Sequence, residues 1–431
     1  MKEDTSPKNE AMEYANEEVP LNVRKTAGTI LVTLTGYTVS LSNFVTGATV
    51  GSKLPFKEAV LACATGNLML MIVASFLGII ACKAGRTTYV LSKRALGAKS
   101  SAIFSAIIVL SSINWTAVNA DTFANLLSTT FSWWPIPVAI SAIIVVTLWA
   151  ISAVRGMKGM AIISWLGTPA AVLLTVICCV AISRATGFAP ILAYQPDSAV
   201  EISFASASSS FAGAWIFGCI VTPDVTRFAK KPAHVVVGAV SAVTIGLFGL
   251  ETVGILTAQG TNNSDFVSAT AALGLGVAVL ICAVFAAWTT QQNNIYSGTL
   301  AFQDVLNNTP LGGKVRHSTL AILISAAIAI FAAVGAVQFL LPVTQALSVL
   351  LPPIPGLMIA QHYFVPLSKE GKSINWVAIL AWVLGSTIGF VALQTNFLVP
   401  AMVSMACTFV LYILLSRVLD KTWNRDICGE K

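Results

Sequence analysis

Apolar runs recur along almost the whole chain, each about the 20 residues a helix needs to cross a bilayer, with short polar connections between them. Polarity does not alternate within a run, as it does in the roughly 10-residue strands of a membrane barrel. The runs therefore predict helices, because a lipid-embedded backbone must satisfy its own hydrogen bonds. Twelve spans follow: 27–50, 57–82, 100–131, 136–154, 160–183, 203–222, 234–257, 267–298, 318–335, 338–361, 375–394 and 398–417. The expected fold is an all-α polytopic membrane protein with twelve transmembrane helices. A polar tail, 1–26, precedes the helical domain at 27–417, and a second tail occupies 418–431.

Composition agrees. The 431 residues are 56% hydrophobic and only 10% charged, against about 25% charged in a soluble domain. Placement of the charges tests the span count. Of the 25 Lys and Arg residues, 22 fall on the tails and even-numbered connections, leaving Lys53, Lys57 and Arg184 on the odd-numbered ones. Positive charge stays inside, so both termini are expected in the cytoplasm of a multi-pass plasma-membrane protein. The net charge of +7 is then a topology signal facing anionic lipid, and no nucleic-acid partner is expected. The first 23 residues lack the basic start and apolar core of a cleavable signal and read as a soluble tail.

No Walker loop, HExxH or GxSxG sequence is present, which argues against an ATP-driven pump or an enzyme. Eight cysteines (Cys63, Cys82, Cys178, Cys179, Cys219, Cys282, Cys407 and Cys428) show no metal spacing and read as small buried hydrophobes. His234, His317 and His362 sit near cytoplasmic ends and read as interfacial.

Four spans carry polar or glycine-rich middles. Span one contains TGYTVSLSNFVTGATVG (35–51), span three SSINWTAVNADTF (111–123) and span six SSSFAGAWIFGCIVTPD (208–224). Span eight turns from apolar to FAAWTTQQNNIY (285–296). Small residues mid-span serve either close helix packing or a backbone break. Spans one and six are five apart, as expected if two inverted five-helix repeats each begin with a discontinuous helix. On span three, Trp115 and Asn119 share a face. A tryptophan beside an amide suits a flat heterocycle, and Trp215, next to Gly213 and Ala214, offers a second plane. Asp121 is a proton or ion-coupling group or a partner for a neighbouring helix. Glu251 reads as a packing or snorkelling residue.

Five segments carry a family resemblance: VTGATVGSKL, GRTTYVLSKRALG, VTPDVTRFAKK, WTTQQNNIYSGTLAF and LPPIPGLMIAQHYF. With them the chain resembles the nucleobase–cation symporter-1 family, and it looks most similar to the cytosine permease branch. The resemblance implies a LeuT-like five-plus-five inverted repeat (27–183 and 203–361) with discontinuous helices one and six, followed by two further helices at 375–417. It implies a substrate held between Trp115 and Trp215, beside Ala214, with polar contacts from Ser40, Asn119 and Gln291. It also implies a sodium site of Gly36, Val39, Ala286, Thr289 and Thr290. Many relatives carry Asn in place of Gln291 and Gln in place of Ser112, so the resemblance leaves the base open between cytosine and a purine. The implied function is sodium-driven import of a nucleobase or related flat nitrogen heterocycle. The alternatives are a proton-coupled permease working through Asp121 and an amino-acid-like carrier of the same fold. Neither a cofactor besides the coupling ion nor an obligate protein partner is expected.

Overall fold

The computed structural model describes residues 13–131, 133–197, 201–307, 309–335, 349–365, 373–395 and 397–427. Helices account for nearly all regular structure among them. They are α1 (Ala27–Thr38), α2 (Leu41–Gly51), α3 (Phe56–Ala84), α4 (Thr88–Leu96), α5 (Ser101–Thr130), α6 (Val138–Val154) and α7 (Gly156–Ala185). Apart from short helical turns, the others are α8 (Phe204–Val221), α9 (Pro232–Thr261), α10 (Gly276–Leu306), α11 (His317–Ala333), α12 (Pro353–Tyr363), α13 (Trp376–Gln394) and α14 (Pro400–Ile427). Among the described residues, seven helices are long and apolar enough to cross a membrane, and α6 and α11 are shorter apolar helices. The expected tenth span, 338–361, begins outside the described residues, and its end forms α12. Cys428 also lies outside them. The last helix runs on to Ile427, ten residues past its expected end at 417.

Span one is broken, as expected. Helix α1 stops at Thr38, Val39 and Ser40 are extended, and Ser40 caps α2 by accepting the Ser42 N–H. A break at this depth strands backbone carbonyls that water cannot reach. Side chains meet part of the need: Asn43 Nδ2 donates to the Thr38 carbonyl and, at 3.1 Å, to that of Gly246. Thr38 Oγ1 lies 2.7 Å from the Thr35 carbonyl and 2.9 Å from that of Ala242. Both partner carbonyls, Ala242 and Gly246, belong to a π-helical stretch of α9, Ala242–Gly249. A π-turn shifts the hydrogen-bond ladder and exposes carbonyls to outside donors. The break and the π-turn are thus two sides of one junction, and only a glycine fits at 246, where a Cβ would overlap Thr38 Oγ1.

Span six is not broken where expected. Helix α8 is continuous from Phe204 to Val221 and passes through Gly213 without a gap. No proline interrupts it before Pro223, where a short helix, Pro223–Thr226, follows. Its glycines make room instead. A Cβ at Gly218 would overlap the Trp215 indole, and Gly213 faces open space.

The described part of the tail is not a free soluble segment. From Glu13 onward it lies across the end of the bundle that carries the basic connections. Tyr14, Ala15 and Val19 are buried. Arg227, fully buried after α8, donates to the carbonyls of Glu13 (2.7 Å) and Tyr14 (2.9 Å) and to the Tyr296 hydroxyl (2.9 Å). Thr87 donates to Ala15, Arg86 to Asn16, and Asn16 pairs with Asn307. Gly156 has φ +63, and the Glu13 carboxylate occupies the space a side chain there would take. Beneath the tail, Asp224 accepts the Thr88 N–H (3.0 Å) and so caps α4. Lys93 of α4 forms an ion pair with Asp304 at the end of α10.

Two predictions follow from this packing. Gly246→Ala forces a Cβ into Thr38, and overpacking of a tight core costs about 1–3 kcal/mol. The purified variant is expected to melt well below wild type, while Gly213→Ala, with open space beside it, melts within a degree or two of it. Equal melting temperatures for the two would remove the junction's special role. The second concerns Glu13. Burial raises its carboxyl above the ordinary carboxylate value, against the opposing pull of Arg227, the Met157 N–H and the Tyr296 hydroxyl. A group raised in the docked state takes up a proton on docking. Tail docking is therefore strengthened as pH falls from the raised value toward the ordinary one, and weakened above it. Hydrogen exchange at residues 13–19, corrected for intrinsic rates, is expected to quicken with rising pH in wild type and to lose that trend in Glu13→Gln. A trend that persists in Glu13→Gln assigns the effect to another group.

Candidate functional site

One small pocket opens beside the break in span one. Four elements meet there. The break supplies Tyr37, Ser40 and Ser42, and α5 supplies Trp115 and Asn119. From α8 come Gly213, Ala214, Trp215, Phe217 and Gly218, and from α10 Thr290, Gln291 and Asn294. The six residues expected at a substrate site, Ser40, Trp115, Asn119, Ala214, Trp215 and Gln291, all line this one space.

The wall is internally ordered. The Tyr37 hydroxyl donates to Asn294 Oδ1 at 3.1 Å, and Asn294 Nδ2 donates to Gln291 Oε1 at 2.9 Å. With its oxygen held, Gln291 has its Nε2 donors for the cavity. Asn119 Nδ2 donates to the Trp115 carbonyl at 2.7 Å, which leaves the amide oxygen as an acceptor. Ser40 and Ser42 share a hydroxyl bond of 2.8 Å. The Tyr37 ring stands edge-on to Trp215, with centroids 5.6 Å apart and planes at 75°. The pocket thus combines two indoles with donors and acceptors set at fixed points. Sequence reasoning missed Tyr37, and it flagged Asn294 without giving it a place.

The other amides of α10 point elsewhere, as their spread around the helix requires. Gln292 Nε2 donates to the Met160 carbonyl at 3.0 Å on α7, and Asn293 Nδ2 to the Thr289 carbonyl at 2.7 Å. Ser112, the other departure from the family pattern, donates to the Asn294 carbonyl at 2.6 Å. Its side chain fills the space a Cβ at Gly298 would take.

Next to the pocket lies a corner of uncharged oxygens. Thr290 Oγ1 donates to the Val39 carbonyl at 2.7 Å, and Thr289 Oγ1 to that of Ala286 at 2.8 Å. Gly36 faces α7, where a Cβ would lie 2.9 Å from Ser164 Oγ and 3.2 Å from Thr168 Oγ1. Gly167 lets α7 approach Thr289 just as closely. Carbonyls and hydroxyls of this kind suit a hard monovalent cation. Among the described residues, no cluster of three or more His, Cys, Asp or Glu could hold a metal ion. The two α7 hydroxyls were not foreseen; their four-residue spacing was the available signal.

The acids lie away from the pocket. Asp121 is buried, is not among the lining residues, and accepts from Asn125 Nδ2 at 2.9 Å. Glu251 does not snorkel. It is fully buried, and Asn67 Nδ2 and Cys63 Sγ both donate to its Oε2. Gly47 of α2 packs against its backbone. His317 is likewise buried rather than interfacial, with its ring against Tyr296 at 5.2 Å.

Comparison with known proteins places this geometry. The family model for permeases for cytosine/purines, uracil, thiamine and allantoin matches residues 23–415. The chain is 27% identical over 392 residues to the cytosine permease of Escherichia coli, covering 87% of this chain and 88% of the relative. Among solved structures it is similar to MHP1, a nucleobase-cation-symport-1 family transporter, in a closed conformation with bromovinylhydantoin bound. The TM-score is 0.76 at 14% identity, covering 95% of this chain and 96% of that one. It also shares its fold with a Na+-coupled sialic acid symporter in a substrate-bound outward-open state, with a TM-score of 0.68 at 13% identity, covering 97% and 93%. The chain therefore shares the all-helical fold of these transporters. The chain belongs to the nucleobase–cation symporter-1 family, in its cytosine permease branch.

Proposed function

We propose that this permease is a secondary importer that couples inward sodium flow to uptake of a nucleobase or related flat nitrogen heterocycle, cytosine or a purine. The observation that carries the proposal is an adjacency. Val39 offers its carbonyl to the cation corner, and the next residue, Ser40, lines the pocket. Thr290 reaches the corner, and the next residue, Gln291, lines the pocket. An ion and a substrate bound at these places would each fix the same two backbone points, so each would favour the state the other favours. A cation at the corner takes the lone pairs that the threonine hydroxyls now address, and the hydroxyl protons turn away. It then ties α10 to the break. The ring of the substrate lies between Trp115 and Trp215, its edge read by Asn119, Gln291 and Ser40. The names of the relatives support the substrate class, and the Na+-coupled neighbour supports the ion. Twelve spans, a five-plus-five inverted repeat and inside termini complete the reading, supported by the Lys/Arg asymmetry.

Uptake into proteoliposomes tests the ion. An inward sodium gradient is expected to drive accumulation of labelled base, and Thr290→Ala to raise the sodium concentration for half-maximal uptake. Uptake indifferent to sodium but abolished by a proton ionophore would overturn the assignment.

Competition by cytosine, uracil, adenine, guanine, hypoxanthine, allantoin and hydantoin tests the pocket. Stacking on an aromatic plane is worth roughly 1–3 kcal/mol per base. Trp115→Ala is therefore expected to weaken binding about 5- to 150-fold, at about 1.4 kcal/mol per decade, and Trp115→Phe only mildly. Gln291→Ala removes a hydrogen-bonding partner from a dry wall, so it is expected to reorder the competitors. Unchanged affinity in both Trp115→Ala and Trp215→Ala would move the stacking site elsewhere, and uniform weakening in Gln291→Ala would leave that residue a purely shaping role.

A further inference from the structure

A second cavity, larger than the central one, lies at the tail-side end of the bundle, between α3, α4 and α12. Its lining is apolar at the buried Ile80, Leu91 and Met358 and polar at Arg94 and His362. Gln361 also lines it, but its polar atoms are committed. Nε2 donates to the Val365 carbonyl at 3.1 Å, and Oε1 accepts from the Tyr412 hydroxyl. Arg94 is exposed and forms no ion pair among the described residues. The charged groups acting on the His362 ring are Arg94 and Lys83, both cations. On the outer side, Phe76 and Tyr363 meet edge to face at 6.0 Å, and these two and Phe364 are exposed, as side chains facing acyl chains are.

The arrangement has two poles. An apolar trough without hydrogen-bonding demand meets a rim where Arg94 brings positive charge and, among the described residues, no acid neutralises it. A soluble anion would satisfy the rim and leave the trough wet, and a neutral lipid would fill the trough and leave the cations unanswered. We infer that this cavity binds an anionic phospholipid, its phosphate between Arg94 and His362 and an acyl chain along the trough. Basic pockets between spans at the inner leaflet are suited to such headgroups. The inference rests on the inside orientation of this face proposed above, and it is independent of the transported substrate and of the coupling ion.

Native mass spectrometry of the full-length protein tests it, with phosphatidylglycerol and phosphatidylcholine of identical chains supplied in equal amounts. Wild type is expected to retain phosphatidylglycerol preferentially. One cation near the membrane surface contributes about 1 kcal/mol, so Arg94→Gln is expected to cut the preference about fivefold. Arg94→Lys keeps most of it, and Lys314→Gln, on another connection of the same face, leaves it unchanged. Millimolar inorganic phosphate is not expected to displace the lipid. The inference is overturned if wild type shows no preference, if Arg94→Gln retains it in full, or if inorganic phosphate displaces the lipid. Loss of sodium-driven uptake in any variant does not bear on it, because lipid retention is read directly.

Discussion

A backbone hydrogen-bonding group buried in a bilayer must find a partner inside the protein. In this permease that constraint is most acute at two residues, Val39 and Ser40, where span one leaves the helix. The break survives because its neighbours supply what water would. Asn43 and Thr38 tie it to the π-turn of α9, and Thr290 bonds the Val39 carbonyl. Ser40 begins the next helix with its own side chain. Few alternatives exist, since the contact at Gly246 leaves no room for a methyl group.

Everything chemical in the molecule gathers around this junction. The same unwound residues that need partners also offer them, so the pocket and the cation corner are built from backbone as much as from side chains. No formal charge lines either one. At the tail-side end, charged side chains (Arg227, Asp224, Lys93 and Asp304) tie the connections together. The segments that carry the family resemblance divide along these lines. WTTQQNNIYSGTLAF builds the pocket, while GRTTYVLSKRALG and VTPDVTRFAKK build the ties beneath the tail.

Much of the fold was legible because span length and charge asymmetry are one-dimensional properties. The pairing of Trp115 with Asn119 could be read from helical spacing alone, as could the shared face of Ala286, Thr289 and Thr290. What stayed hidden depends on partners distant in sequence. Glycines at 213 and 218 look alike in the chain, yet one faces a cavity and the other seats an indole, and neither breaks a helix. The π-turn has no local signal, because its cause is the break more than 200 residues away. Tyr37 reads as one more apolar-span aromatic until Asn294 stands opposite it. Glu13 and its neighbours look like solvent-facing sequence because the buried arginine that orders them lies more than 200 residues downstream.

The docking of the tail has a consequence for biosynthesis. Its residues are made well before the groups that hold it: Arg227 follows Glu13 by 214 positions, Tyr296 by 283, and Asn307 follows Asn16 by 291. The segment must wait, undocked, while the helices from α1 to α10 are made. It settles only when the end of α10 has emerged. A chain truncated or stalled earlier keeps this segment undocked, so docking marks a chain whose synthesis has passed α10.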